Sequence, residues 1–135
     1  MAVSRKTASA TVSPRRSTVS REFADRWVLS DLVADPVKQF DRYLKDLTAK
    51  VTRFEAARPD LSPTMSEQNF LNLLTLSEQI ARDSGRLGAY SYLWFSEDTK
   101  QLQARSFKTK VEEHLTSLQN RLLFFDLWWQ SVDEN

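Results

Sequence analysis

The sequence has no cysteine, only one histidine and only two glycines among its 135 residues. Without cysteine the chain can form neither disulfides nor thiolate metal sites, which fits a reducing compartment. The single histidine, His114, follows Glu112 and Glu113, so the sequence contains no H-E-x-x-H motif. One histidine cannot supply the three protein ligands of a catalytic zinc site. We therefore expect no catalytic, cofactor-binding or metal-binding residue here, and we expect His114 to pack in the core.

Both glycines lie within one four-residue stretch, Gly85 to Gly88. No strand pattern precedes them and no Lys-Ser or Lys-Thr pair follows, so they do not form a phosphate-binding loop. A glycine inside a helix costs about 0.5–1 kcal/mol relative to alanine. Because large aromatic residues follow directly, we expect a crowded helix crossing at Gly85, Gly88 and Tyr90.

Two glycines and four prolines leave few places for the chain to turn, and the remaining composition is that of an ordinary globular domain. The sequence therefore predicts an all-α fold, an antiparallel up-down bundle of three long helices. The predicted helices cover residues 36–58, 65–95 and 99–132 of a domain spanning 36–135. An irregular lead-in is predicted over residues 22–35.

Local signals predict where each helix begins. Asp35-Pro36 places a proline in the first turn of helix one. Thr64 and Glu67 have the spacing of a capping box at the start of helix two. Asp98, with Gln101 as its partner, is the predicted N-cap of helix three.

Apolar residues with helical spacing predict the face that each helix buries. In helix one the spacing alternates between three and four residues, which is typical of a seam against one partner surface. Small residues in the seam of helix two would let a neighbouring helix approach closely. The predicted seams are Val37, Phe40, Leu44, Leu47, Val51 and Phe54 in helix one; Phe70, Leu73, Leu74, Ser77, Ile80, Ala81, Ser84, Leu87 and Gly88 in helix two; and Phe107, Val111, His114, Leu118, Leu122, Phe125 and Trp129 in helix three.

The first 21 residues are basic and poor in large apolar side chains. Residues 1–21 contain five Lys or Arg, no acidic residue, and no Leu, Ile or aromatic residue. Such a segment cannot bury enough apolar surface to fold, so we expect a disordered tail. An organellar transit peptide and an arm that binds nucleic acid or an anionic surface are the alternatives.

The expected partners and compartment follow from the same composition. No apolar run approaches the length of a membrane span. The basic residues of the tail are dispersed and have no aromatic residues among them, which is a weak indication of nucleic-acid binding. We expect neither a membrane nor nucleic acid as a partner. The expected compartment is the cytoplasm, or an organelle if the basic tail is a transit peptide.

Seven of the eight residues from Leu122 to Trp129 are apolar. Eight residues pass more than twice round a helix, so a three-helix bundle cannot cover all of them. We expect protein sequence that follows Asn135 to cover the rest; self-association of the isolated chain and a membrane-surface anchor are the alternatives. The residues expected to point away from the bundle and form this interface are Leu123, Phe124, Leu127 and Trp128.

Three segments carry a resemblance to a known family. They are Trp-Val-Leu-Ser-Asp-Leu at 27–32, Leu-Gly-Ala-Tyr at 87–90 and the apolar run at 122–129. In that order they resemble an opening segment, an aromatic helical stretch and the end of the third helix in oligoendopeptidase F-type zinc metallopeptidases. The resemblance covers the chain from about Arg26 to Asn135.

The resemblance implies an intact enzyme that cleaves short peptides inside a closed helical cavity. There an H-E-x-x-H motif holds zinc, and its Glu activates the zinc-bound water. This chain is then expected to be the N-terminal, cavity-wall region without the catalytic domain. Its partner would be that catalytic domain, and zinc would be present only there. The alternative is a free-standing helical interaction module that docks another protein through Leu122 to Trp129.

Overall fold

The computed structural model describes residues 28–133, and this part of the chain forms three α-helices and no strand. Helix α1 spans Phe40–Ala56, α2 spans Glu67–Glu97 and α3 spans Leu102–Asp133. Short 3-10 turns lie at Leu29–Asp31 and Arg58–Asp60. The predicted all-α class is confirmed, whereas the tail predicted to be disordered, residues 1–21, lies outside the described residues.

Contacts between aromatic rings define how the helices run. Phe40 packs on Phe107 with ring centroids 5.5 Å apart, and Phe54 packs on Phe125 at 5.2 Å, so α1 and α3 run in the same direction. Phe70, near the start of α2, stacks on Trp129, near the end of α3, at 5.5 Å. Helix α2 therefore runs antiparallel to α3, as the predicted up-down bundle requires.

Helix α1 begins at Phe40 and not at Pro36, where the sequence places it. Asp35 has a positive φ of 43°, which breaks the helical path one residue before the proline. The backbone N–H of Gln39 donates to the carbonyl oxygen of Asp35 at 3.0 Å, closing a separate turn. Val37 lies in that turn and is 39% exposed, so it does not extend the buried seam of α1.

The predicted caps of the other two helices are also wrong in position. Ser66, not Thr64, is the N-cap of α2, because its hydroxyl oxygen accepts a hydrogen bond from the backbone N–H of Asn69. Asp98 is the C-cap of α2. Its side chain accepts from the backbone N–H of Lys100 at 3.0 Å and so stabilises the α2–α3 turn instead of starting α3.

The core consists of two clusters stacked along the bundle. The predicted seams supply both clusters, and the buried residues that the seams did not contain are Leu29, Val33, Ser91 and Ala104. Val51 and Val111 are completely buried, one in each cluster. The buried residues are Leu47, Val51, Phe54, Leu73, Ile80 and Leu118 in one cluster, and Phe40, Leu87, Phe107 and Val111 in the other.

Two ion pairs join α1 to its neighbours at the surface. Lys50 of α1 pairs with Asp83 of α2. Arg121 of α3 binds Glu55 of α1 through two hydrogen bonds, from Nε at 2.8 Å and from Nη2 at 2.5 Å, and Nη2 also donates to the Thr52 hydroxyl at 3.0 Å. These two hydrogen bonds between one guanidinium and one carboxylate fix α3 against α1 directly before the apolar end of α3.

The Glu55–Arg121 pair predicts a pH dependence of stability. The hydrogen bonds from Arg121 lower the pKa of the Glu55 carboxyl below its ordinary value. A lowered folded-state pKa stabilises the fold above the unfolded-state pKa, and this stabilisation is lost as pH falls through the folded-state value. We expect Arg121→Ala to flatten the loss of stability in acid, measured by denaturant midpoints between neutral pH and about pH 3. The effect will be modest and sensitive to salt, since both side chains are about a third exposed. Equal acid sensitivity in both proteins would contradict this role.

Candidate protein-docking surface on α2 and α3

Large apolar side chains stand in solvent on the last turns of α3. The exposed fraction is 47% for Leu123, 66% for Leu127 and 50% for Trp129. Leu123 and Leu127 are four residues apart and therefore form one stripe, on the side of α3 opposite the buried Leu118. Both belong to the set that the sequence predicts to point away from the bundle.

Phe124 and Trp128, which the sequence also predicts to point away, are packed against the bundle instead. The Phe124 ring lies 5.8 Å from that of Phe54, and the guanidinium of Arg58 lies 5.3 Å from its centroid. The Trp128 ring lies 6.4 Å from that of Phe70 of α2. Phe124 is covered because the 3-10 turn that follows α1 places Arg58 on this side of α3.

Trp129, in contrast, is predicted to face the bundle and is half exposed. The start of α2 is what covers it: Phe70 stacks on one face of its ring with an interplanar angle of 15°. The Trp128 ring also lies 6.0 Å from that of Trp129, and half of the Trp129 side chain remains exposed. Trp129 therefore joins Leu123 and Leu127 as exposed apolar surface.

A groove of about 460 Å³ runs between α2 and α3 next to this exposed surface. Its floor is apolar and buried, and small residues of α2 form one wall. Asp126 is the one ionisable side chain among the lining residues. The floor contains Phe54, Ile80, Leu118 and Phe125; the α2 wall contains Ser77, Ala81, Ser84 and Gly85; the α3 wall contains Leu115, Gln119, Leu122 and Asp126.

The two glycines, predicted together at a helix crossing, differ in their surroundings. A Cβ atom on Gly88 would lie 3.5 Å from Leu115 Cδ1 of α3, which is ordinary van der Waals contact. A Cβ atom on Gly85 would meet nothing within 4 Å. No side chain of a neighbouring helix therefore packs at Gly85, which lines the groove between α2 and α3 instead of a close crossing.

Tyr90, the third residue predicted at the crossing, packs among aromatic rings. Its centroid lies 6.1 Å from that of Phe107 of α3, in an edge-to-face arrangement. Partial burial raises the pKa of the Tyr90 hydroxyl, and the carboxylates of Asp35 and Glu97 raise it further. The hydroxyl is therefore neutral at physiological pH, and the ring serves packing.

Substitutions at Gly85 and Gly88 should change the stability of the chain differently, because the two glycines differ in their surroundings. Neither glycine has a positive φ, so alanine at either position removes unfolded-state freedom without strain and should stabilise the chain by about 0.5–1 kcal/mol. Gly88→Leu should destabilise by about 1–3 kcal/mol because the larger side chain must displace Leu115, whereas Gly85→Leu should not. Denaturant midpoints of the four variants measure this, and equal midpoints for the two leucine variants would contradict the difference in packing.

His114 and Arg86 lie in different parts of the bundle. His114, predicted to pack in the core, is half-buried, with its ring 5.7 Å from that of Phe40. Arg86 lines a cavity of about 370 Å³ on the α1–α2 side of the bundle, away from His114. Within residues 28–133, no three His, Cys, Asp or Glu side chains come together as a metal-binding group.

The same cavity brings together two of the three segments that carry the family resemblance. Leu32, from the lead-in, and Leu87, from the Leu-Gly-Ala-Tyr stretch, both line it. Leu29 of the lead-in is 9% exposed, and its 3-10 turn contacts α2. Trp27, the first residue of the lead-in segment, lies outside the described residues.

Sequence reasoning missed the groove, although it identified part of its wall. Ser77, Ala81 and Ser84 were predicted to permit close approach of a neighbouring helix. In the bundle these residues face open space beside α3. The sequence did contain a signal for the groove: the small residues of α2 extend further along the helix than one helix crossing requires.

The described helices include none that is both long and apolar enough to cross a lipid bilayer. Comparisons with protein-family profiles, with curated proteins and with solved structures return no match to this chain.

Proposed function

We propose that this chain is the N-terminal helical region of an oligoendopeptidase F-like zinc metallopeptidase and that it docks onto the catalytic domain of such an enzyme. The resemblance of its three segments supports the proposal. The packing of Leu32 and Leu87 round one cavity supports it further, since it gives a structural reason for two of those segments to occur together.

The observation that carries the docking role is the exposed apolar end of α3. Leu123, Leu127 and Trp129 are each about half exposed or more, within seven residues of one helix. Leu123 and Leu127 form one stripe, and exposed apolar surface of this kind is typical of protein interfaces. Covering it with a second protein surface removes these side chains from water, which stabilises the complex by about 25 cal/mol for each Å² of apolar area buried.

In this proposal the chemistry resides in the partner. The zinc, its H-E-x-x-H ligands and the activated water belong to the catalytic domain. This chain contributes a rigid helical wall that limits access to the cavity, so that short peptides reach the zinc. The proposed compartment is the cytoplasm.

A second candidate is a free-standing helical module that binds an unrelated protein through Leu122 to Trp129. The exposure of Leu123, Leu127 and Trp129 favours it as well, because this observation is independent of the family resemblance. The two candidates differ in the partner: a catalytic domain containing H-E-x-x-H in one, and a protein without it in the other.

Reconstitution tests the proposal. An oligoendopeptidase F-type catalytic domain, expressed without its own N-terminal region, is mixed with this chain and analysed by light scattering coupled to size-exclusion chromatography. We expect a one-to-one complex in which metal analysis finds zinc only in the catalytic domain. Two separate species at micromolar concentration, or stoichiometric zinc bound to this chain alone, would contradict it.

A further inference from the structure

The walls of the groove between α2 and α3 are as long as a short helix. Its α2 wall, from Ser77 to Gly85, is about 12 Å long, and its α3 wall, from Leu115 to Asp126, is about 16 Å long, at 1.5 Å per residue. These lengths correspond to two or three helical turns. The floor is formed by buried apolar side chains such as Ile80 and Leu118, which are 3% and 7% exposed.

Gly85 is the residue that the isolated fold does not explain. It lies inside a continuous helix, has no positive φ, and has nothing within 4 Å of the position of a Cβ atom. A helical glycine costs about 0.5–1 kcal/mol relative to alanine, and no contact within residues 28–133 requires that cost. If the backbone or a side chain of a partner lies against Gly85 in the groove, a residue without a side chain is needed there, and this would explain the glycine.

Asp126 specifies the charge of the occupant. It is the one ionisable residue that lines the groove, and it stands between the apolar Phe125 and Leu127 on the rim. An occupant that buries the apolar floor also removes water from this carboxylate. A Lys or Arg of the occupant at this end of the groove would pair with the Asp126 carboxylate in place of water. A carboxylate of the occupant at the same place would be repelled.

From these observations we propose that the groove binds one amphipathic α-helix of the catalytic domain, packed directly against Gly85 and carrying a basic residue opposite Asp126. The inference rests on the proposed function and goes beyond it, because it places the contact between α2 and α3 as well as on the outward stripe of α3. The occupant presents apolar residues at positions i, i+3 or i+4, and i+7, as in other helix-in-groove complexes.

A fluorescent probe in the groove tests this directly. Because the chain has no cysteine, Ser84→Cys can be labelled at one position with an environment-sensitive dye, and Arg82→Cys, exposed on the outer side of the same helix, is the matched control. On addition of the catalytic domain we expect the emission at position 84 to shift to shorter wavelength. The emission at position 82 should not change.

Two substitutions then identify the contact. Gly85→Leu should weaken the association about tenfold or more by overfilling the groove, whereas Gly85→Ala should change it less, and neither should lower the thermal midpoint of the free chain. Asp126→Lys should also weaken the association about tenfold, and more than Asp126→Asn does.

The outcomes separate this inference from the proposed function. If the catalytic domain binds and Gly85→Leu binds equally well, with no shift at position 84, the docking role stands and the groove inference is wrong. If the dye at position 84 shifts with the concentration of the chain alone, a second copy occupies the groove and the proposed occupant is wrong. If no association occurs with the wild type, both proposals fail.

Discussion

Leu123→Glu combined with Leu127→Glu should weaken association with the catalytic domain about 100-fold and should abolish hydrophobic-dye binding by the free chain. Both side chains are about half exposed or more on one stripe of α3, so glutamate is tolerated in the free protein but not in a desolvated interface. Titration calorimetry and dye fluorescence measure the two effects, and circular dichroism should show unchanged helicity.

A control with the same added charge lies two turns earlier on the same stripe. Thr116 and Asn120 are exposed and precede Leu123 and Leu127 by seven residues each. Thr116→Glu with Asn120→Glu should leave association within about threefold of the wild type, because these positions add no apolar area. Equal weakening by both pairs would show that net charge, and not the apolar stripe, governs binding.

Phe54→Ala should destabilise the isolated chain more than any surface substitution. Phe54 is 2% exposed, belongs to one core cluster and packs against both Phe124 and Phe125 of α3. Truncation of a buried phenylalanine costs about 3–5 kcal/mol through lost transfer energy and the cavity that remains. Since a domain of this size is stable by about 5–15 kcal/mol, the denaturant midpoint should fall steeply.

Leu71→Ala is the matched control, because Leu71 lies on α2 and is 47% exposed. Its effect should stay within about 1 kcal/mol. A loss of stability as large as that of Phe54→Ala would mean that the described core is not the one that holds the bundle together. A small effect of Phe54→Ala would also show that the described core does not hold the bundle together.

The sequence predicted the fold through periodicity. The alternating spacing from Phe40 to Phe54 identified the buried face of α1, and Phe107, Val111 and Leu118 did the same for α3. This part was predictable because a residue buried by a long helix must recur every three or four positions. Helix ends were less accessible, since Thr64 and Ser66 both satisfy local capping patterns and only backbone geometry selects Ser66.

The docking surface was only partly predictable, since its limits depend on elements distant in the sequence. Leu123 and Leu127 are exposed as helical spacing requires. Phe124 is packed because Phe54 and Arg58 reach it from α1 and the turn that follows, and no pattern within α3 encodes that contact. Gly85 and Gly88 look equivalent in sequence, and only the position of Leu115 of α3, beside Gly88 and not beside Gly85, distinguishes them.

The most direct test of the central claim is peptide hydrolysis by the reconstituted pair. An oligoendopeptidase F-type catalytic domain without its N-terminal region is assayed with a quenched-fluorescent peptide, with and without this chain at saturating concentration. We expect the chain alone to be inactive, and we expect its addition to restore zinc-dependent cleavage of short peptides, with no restoration by the Leu123→Glu, Leu127→Glu variant. Cleavage unchanged by the wild-type chain, or restored equally by that variant, would contradict the account.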